Sequence, residues 1–211
     1  MRVVNLRIEE NGNSVRSLGT IIWEDGPRPA QEIYFETLPE FANGLSCHPH
    51  AFLVACSMPA LLFGERRLFI EGEICPQLRD GIEIAMSWMR SWWYEPKTRL
   101  PLIEAKIRST APRPPTPERA GVFFSGGIDS LAILQSNRQR YPSDHPGSIK
   151  DGFSVCGLEI QEPGAFEIVL DSLALLAADA GIALIPIHTN IRSLGPEDIL
   201  QQMFDALFES N

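Results

Sequence analysis

The sequence predicts an α/β protein whose C-terminal half forms a parallel, doubly wound sheet and whose N-terminal half is a smaller α+β module. Three observations lead there. Apolar runs GVFF (121–124), FSVCGLEI (153–160) and IALIPIH (182–188) begin about 30 residues apart, the spacing of strand–helix–strand units. Their unbroken apolar character suits strands buried on both faces. Upstream, short runs separated by turn-rich NGN and GPRP read as the strands of an α+β module.

The N-terminal module is assigned to residues 1–95. VVNLRIEE, LGTIIWE and QEIYFET read as strands, and RRLFIEGEI alternates like a fourth. A helix is expected over 48–63, with Pro59 late in it. A second is expected over 76–94, where Leu78, Ile82, Ala85, Met86, Met89, Trp92 and Trp93 fall at helical spacing and read as a core face. Residues 96–119 are assigned as a linker, because STAPRPPTPER (109–119) contains four prolines that cannot continue a helix or a central strand. Residues 120–211 form the α/β domain. Phe166, Val169, Leu170, Leu173, Leu176, Ala177 and Ala180 make one helical face, with Gly181 as its stop. Gly195-Pro196-Glu197-Asp198 reads as the start of a last helix carrying Met203, Phe204, Leu207 and Phe208.

Composition narrows the function. The net charge of −9 sits almost wholly in residues 116–211, which carry five Lys+Arg and thirteen Asp+Glu. An acidic half repels phosphate backbones, so no nucleic-acid partner is expected, and a nucleotide bound there would need a divalent cation. No apolar run reaches the ~20 residues of a membrane span, and MRVVNLRIEE lacks the features of a signal peptide, so no membrane partner and a cytoplasmic location are expected. Cys47, Cys56, Cys75 and Cys156 show no paired spacing and read as reduced thiols. Cys47-His48-Pro49-His50 is too tightly spaced for a zinc site and reads as the scaffold of a helix start.

The chemistry concentrates in VFFSGGIDS (122–130), a strand that runs through two glycines into a helix. Gly126 and Gly127 permit a tight turn and close approach of a ligand to backbone. Free N–H groups at the helix start favour an anion. Ser125 and Ser130 add hydroxyls. Asp129 would repel phosphate unless it holds a Mg²⁺ that bridges the phosphates. A Walker A loop is excluded because no lysine follows the glycines, a dinucleotide fingerprint because G-x-G-x-x-G is absent, and a nucleophile elbow because Phe123 stands at its first glycine.

Ser125-Gly126-Gly127-Ile128-Asp129-Ser130 resembles the S-G-G-x-D-S signature of the PP-loop ATP pyrophosphatases, a HUP-like superfamily, over about residues 118–192. The resemblance implies ATP and Mg²⁺ as cofactors, cleavage of ATP to AMP and pyrophosphate, and adenylation of a small-molecule substrate. The activity implied is ligase- or amidotransferase-like, or similar to 7-cyano-7-deazaguanine synthase. It implies catalytic roles for Asp129 and Ser130, with Asp129 on the metal. Ser125, Gly126, Gly127 and Ile128 would bind the phosphates. Gly157 and Leu158 at the end of the second strand would face the adenosine. Arg192, with His188, Thr189 and Asn190, lies where the third strand should reach the same crevice. The resemblance also implies five parallel strands in the order 3-2-1-4-5, whereas only three are found here. The sheet is therefore expected to be incomplete at its C-terminal side. A longer chain, a partner chain or second copy, or the N-terminal module would complete it. The alternative function is a nucleotide-binding or assembly module without turnover.

Overall fold

The computed structural model describes residues 1–95, 97–108, 119–157 and 163–195. Three strands open the chain as an antiparallel meander: β1 (Arg2–Asn11), β2 (Ser14–Ile22) and β3 (Gln31–Thr37). Asn5 adopts a left-handed φ of 56°, and the β1–β2 register shifts between Val4 and Arg7. Asparagine tolerates that conformation better than most side chains, which is what lets an extra residue bulge here. Helices α1 (Pro49–Leu62) and α2 (Pro76–Trp93) each start on a proline, whose missing N–H is no loss at the first helical position. Between them runs β4 (Arg67–Ile74), which pairs parallel to β1 and to β5 (Leu102–Ile107).

The C-terminal segment alternates β6 (Ala120–Phe123), α3 (Ile128–Arg140), β7 (Ile149–Cys156), α4 (Pro163–Asp179) and β8 (Ala183–Thr189). A 3-10 turn at Ile191–Leu194 follows. The three strands pair in parallel, in the order β6-β7-β8. Gly181, at φ 57°, ends the helix before β8. The expected last helix, residues 109–118 of the linker, and Leu158 lie outside the described residues.

All eight strands belong to one sheet, ordered β5-β4-β1-β2-β3-β8-β7-β6. The sheet is mixed, not parallel throughout, because β3 pairs antiparallel with β8. The N-terminal module therefore joins the C-terminal strands at β8 and leaves β6 as a sheet edge. The assigned linker also contains a strand, since β5 falls within 96–119. Its charged residues Glu104 and Lys106 interrupt the apolar pattern that would have revealed it.

The β3–β8 seam has a specific chemistry. Thr189 donates its hydroxyl to the Tyr34 carbonyl at 2.7 Å, and the Tyr34 N–H donates to Asn190 Oδ1 at 2.9 Å. Asn190 Nδ2 donates to the Glu32 carbonyl at 2.9 Å. Pro186 has no N–H to offer β3, and the Thr37 hydroxyl instead donates to its carbonyl at 2.8 Å. Side chains thus extend the ladder where backbone pairing stops.

Residues paired across strands share a face, so the registers assign the helices. Ile33 pairs with Gly19, and Phe35 with Ser17 and Thr189. On that face α1 brings Phe52 against Gly19 and edge-on to Phe35, with ring centroids 5.7 Å apart. A large core of Val3, Ile21, Ile33, Phe52, Leu53, Leu68, Ile70, Ile82 and Met86 fills the space under α1 and α2. On the opposite face α3 and α4 cover β6–β8 through a smaller cluster of Phe124, Leu134, Leu173, Ala177 and Ile182. Both C-terminal helices lie on this one face, so winding on both faces of β6–β8 is not present among the described residues.

The expected core face of α2 is only partly used. Ile82 and Met86 are buried, with Leu78 and Met89 packed beside them, but Trp92 is exposed and lies tilted against Trp88 and edge-on to Trp93. The amino group of Met1 is fully buried and ion-paired with the Glu65 carboxylate, which also accepts the amide N–H groups of Glu24 and Asp25. With those partners the buried charges are hydrogen-bonded on both sides.

Candidate functional site

The SGGIDS loop joins the carboxyl end of β6 to α3. Phe124 is buried and donates its N–H to the Phe153 carbonyl at 2.7 Å, which fixes the strand up to the loop. The chain then turns sharply. Gly126 has φ 71°, and a β carbon there would lie 2.6 Å from Leu173 Cδ2 of α4. The left-handed backbone is what favours glycine here, while the Leu173 methyl is a side-chain end that could shift. Gly127 is the N-cap residue in extended conformation, and its N–H donates to Ser125 Oγ at 3.3 Å. Ser130 is buried and donates its hydroxyl to the Gly127 carbonyl at 2.9 Å, while Leu131 N–H donates to the same oxygen at 3.1 Å. Ser130 thus closes the first turn of α3 and holds the loop's shape.

Ser125, Gly127, Ile128 and Asp129 are exposed, Ile128 at 84%. No protein acceptor among the described residues takes the N–H groups of Ile128, Asp129 or Ser130, as the helix geometry leads one to expect. Asp129 places a carboxylate in the first turn of the same helix. The loop therefore combines open amides, a hydroxyl and a carboxylate at one helix mouth, beside the carboxyl ends of parallel strands, where α/β sheets present ligands.

Gly157 ends β7 with φ 101°, and a β carbon at this position would sit 1.7 Å from the Thr189 carbonyl oxygen. The backbones of the β7 and β8 ends are thereby packed against each other beside the loop. Cys156 precedes it. Burial pushes its thiol pKa up, opposed by a hydrogen bond with the Gly157 backbone, so it stays a protonated, unreactive thiol at neutral pH. Burial raises the Cys56 thiol in the same direction.

The third-strand residues divide. Thr189 and Asn190 form the seam to β3 and are committed there. The His188 ring packs edge-on to Phe166 of α4, centroids 5.1 Å apart. Arg192 lies in the 3-10 turn beside α1, where it already has a partner. That turn packs into the core under α1, on the face away from α3. Sequence reasoning treated these residues as one rim and missed the seam, because hydrogen bonds across about 150 residues leave no local pattern.

His48 and His50 are structural. His48 Nδ1 accepts the His50 N–H at 3.3 Å as the α1 cap, and His50 Nε2 accepts the Cys75 N–H at 2.8 Å. No group of three or more metal-binding side chains is found among the described residues. Burial, then repulsion from His48 and Arg108, lowers the pKa of His50. A histidine whose folded-state pKa lies below its unfolded value takes up protons on unfolding. Its contribution is present above the unfolded value near 6.5 and is lost as pH falls through the folded pKa. The urea midpoint is expected to drop between pH 7.5 and 5.5, and to drop less in His50→Gln. Equal drops in the two proteins would show that His50 is not responsible.

No helix among the described residues is long and apolar enough to cross a membrane. No family model matches the chain, and neither a curated protein nor a solved structure resembles it at the threshold of significance. The site must therefore be read from its own chemistry.

Proposed function

We propose that this chain is an ATP-binding enzyme of PP-loop type, which cleaves ATP to AMP and pyrophosphate and so adenylates a small-molecule substrate. One observation carries the reading: the N–H groups of Ile128 and Asp129 that open α3 have no acceptor among the described residues and belong to exposed residues, at a left-handed glycine turn, with the Asp129 carboxylate beside them. The parallel β6-β7-β8 unit then corresponds to strands 1-2-3 of a doubly wound HUP-like sheet. In this reading the amides of Gly126 and Ile128 hold the β- and γ-phosphates together with Ser125 and the Gly127 amide, which exchange their mutual hydrogen bond for the ligand, and Gly157 lies on the adenosine side. Asp129 is the residue that would hold Mg²⁺, which supplies neutralisation of phosphate charge.

The reaction follows from positioning. A substrate oxygen, such as a carboxylate, attacks the α-phosphorus and forms a new P–O bond. The bond from the α-phosphorus to the bridging oxygen breaks, and pyrophosphate leaves with the electron pair. Backbone dipoles at the helix mouth stabilise the charge that develops on the leaving group, so no covalent enzyme intermediate is needed. Incubation with α-labelled ATP and a panel of carboxylate substrates is expected to release labelled AMP. Labelled ADP as the product would overturn the reading.

A second reading has its own observation. Among the described residues strand β6 is a sheet edge, so sheet walls the loop on one side there, and Ile128 and Phe123 stand exposed around it. A nucleotide-binding or assembly module, completed by a partner chain or a second copy, would have this shape. Tight ATP binding without cleavage in the presence of substrate candidates distinguishes it from the enzyme.

A further inference from the structure

Among the described residues β5 is the other edge of the sheet, and its backbone keeps unpaired groups. The N–H groups of Leu102 and of Arg108, just past the strand, donate to the Arg66 and Ile74 carbonyls, both at 3.0 Å. The even-numbered residues of β5 therefore bond to β4, and the N–H and C=O groups of Ile103, Ala105 and Ile107 point away from the sheet. No acceptor among the described residues takes those three N–H groups. The side chains divide by the same alternation. Ile103 is buried and Ala105 packs on the core under α1 and α2, whereas Glu104 and Lys106 lie on the opposite face and pair with Arg67 and Glu73. Ile107 shares the parity of Ile103 yet is 40% exposed.

We infer that this edge pairs antiparallel with the same edge of a second copy, in the register centred on Ala105. Charge and backbone phase select the partner and the register together. Outward-facing groups must meet outward-facing groups, so only registers centred on a single residue are allowed. Centring on Glu104 or Lys106 sets that charge against itself, and centring on Ile107 sets Lys106 against Arg108 of the partner subunit. Centring on Leu102 or Ile103 sets an outward residue against the partner's Pro101, which has no N–H to give. Centring on Ala105 sets Glu104 against Lys106 of the partner subunit, twice by symmetry, and joins the pairs to Arg67 and Glu73 into one network. On the other face Ile107 meets the partner's Ile103, so the core continues across the seam. The same register brings Arg108 of the partner subunit opposite Leu102. Leu102 lines a groove of about 580 Å³ with exposed Ile84 and Trp88, with Glu83, and with Asp80, which already holds Arg79. A guanidinium there finds an aromatic face and the Glu83 carboxylate. An edge paired with itself closes at two copies. The pairing leaves β6 and the SGGIDS loop open, so it holds whether or not the loop binds ATP.

The test is sedimentation equilibrium of the full chain and of charge variants. The chain is expected to be a dimer at about 100 µM. Glu104→Lys and Lys106→Glu each set like charges opposite one another twice across the seam, and each is expected to raise the dissociation constant about 10-fold or more. Mixed in equal amounts, the two variants face each other with opposite charges at both positions, and dimers are expected to return. Mixing changes no contact within a chain, so recovery also shows that both variants fold. Ala105→Pro deletes the outward N–H at the centre of the seam and no hydrogen bond to β4, and it is expected to be monomeric. A monomeric parent at that concentration, polymers that grow past two copies, variants that dimerise like the parent, or a mixture that stays monomeric would each overturn the inference.

Discussion

Asp129→Ala is expected to weaken binding of magnesium-bound ATP about 30- to 100-fold, the loss of ~2–3 kcal/mol that follows removal of a charge-assisted contact. Binding of ATP without magnesium should change far less, or tighten slightly as a repulsive carboxylate disappears. Asp129 is exposed and its side chain makes no hydrogen bond or ion pair among the described residues, so the variant should fold normally. Calorimetry of both proteins with and without Mg²⁺ reads the effect directly. Equal affinities for the magnesium complex would mean that the carboxylate holds no metal.

Gly157→Ala should be the most damaging glycine-to-alanine change among the described residues. The added carbon would meet the Thr189 carbonyl oxygen at 1.7 Å, far inside contact distance, and the backbone there has φ 101°. Neither neighbour is a flexible side-chain end: one is the β7 terminus and the other is the start of the β3–β8 seam. Relief requires the strand ends to part, at a cost of about 3 kcal/mol or more. For a chain of this size that is a fall in Tm of about 6–12 °C. A change below ~2 °C would show that the strand ends separate easily. The variant should also lose ATP affinity if the end of β7 borders the adenosine.

The SGGIDS loop was legible because everything that shapes it is local. An apolar strand, two glycines and a helix-start carboxylate lie within nine residues, and the turn forms where they say. Helix α2 was legible from apolar residues at helical spacing over 76–94, and α1 falls within the 48–63 stretch expected to be helical. The single sheet was not. Whether β8 pairs with β3 depends on Thr37, Thr189 and Asn190 bonding to backbone far away in sequence, and none of these residues looks unusual in its own neighbourhood. Trp92 misled because helical spacing records which residues can share a face, not how far the opposing core extends. After Met89 the core is next met by Tyr94 at the helix end, and Trp92 between them is exposed beside Trp88 and Trp93.

The central claim is that backbone amides at the start of α3 bind the phosphate tail of a magnesium-bound nucleotide. Amide chemical shifts in a ¹H–¹⁵N titration with Mg·ATP test it most directly. The largest and earliest changes are predicted at Gly126, Gly127, Ile128, Asp129 and Ser130, with smaller ones at Gly157. Saturating nucleotide that leaves those five resonances in place, or that moves only residues remote from them, would contradict the account.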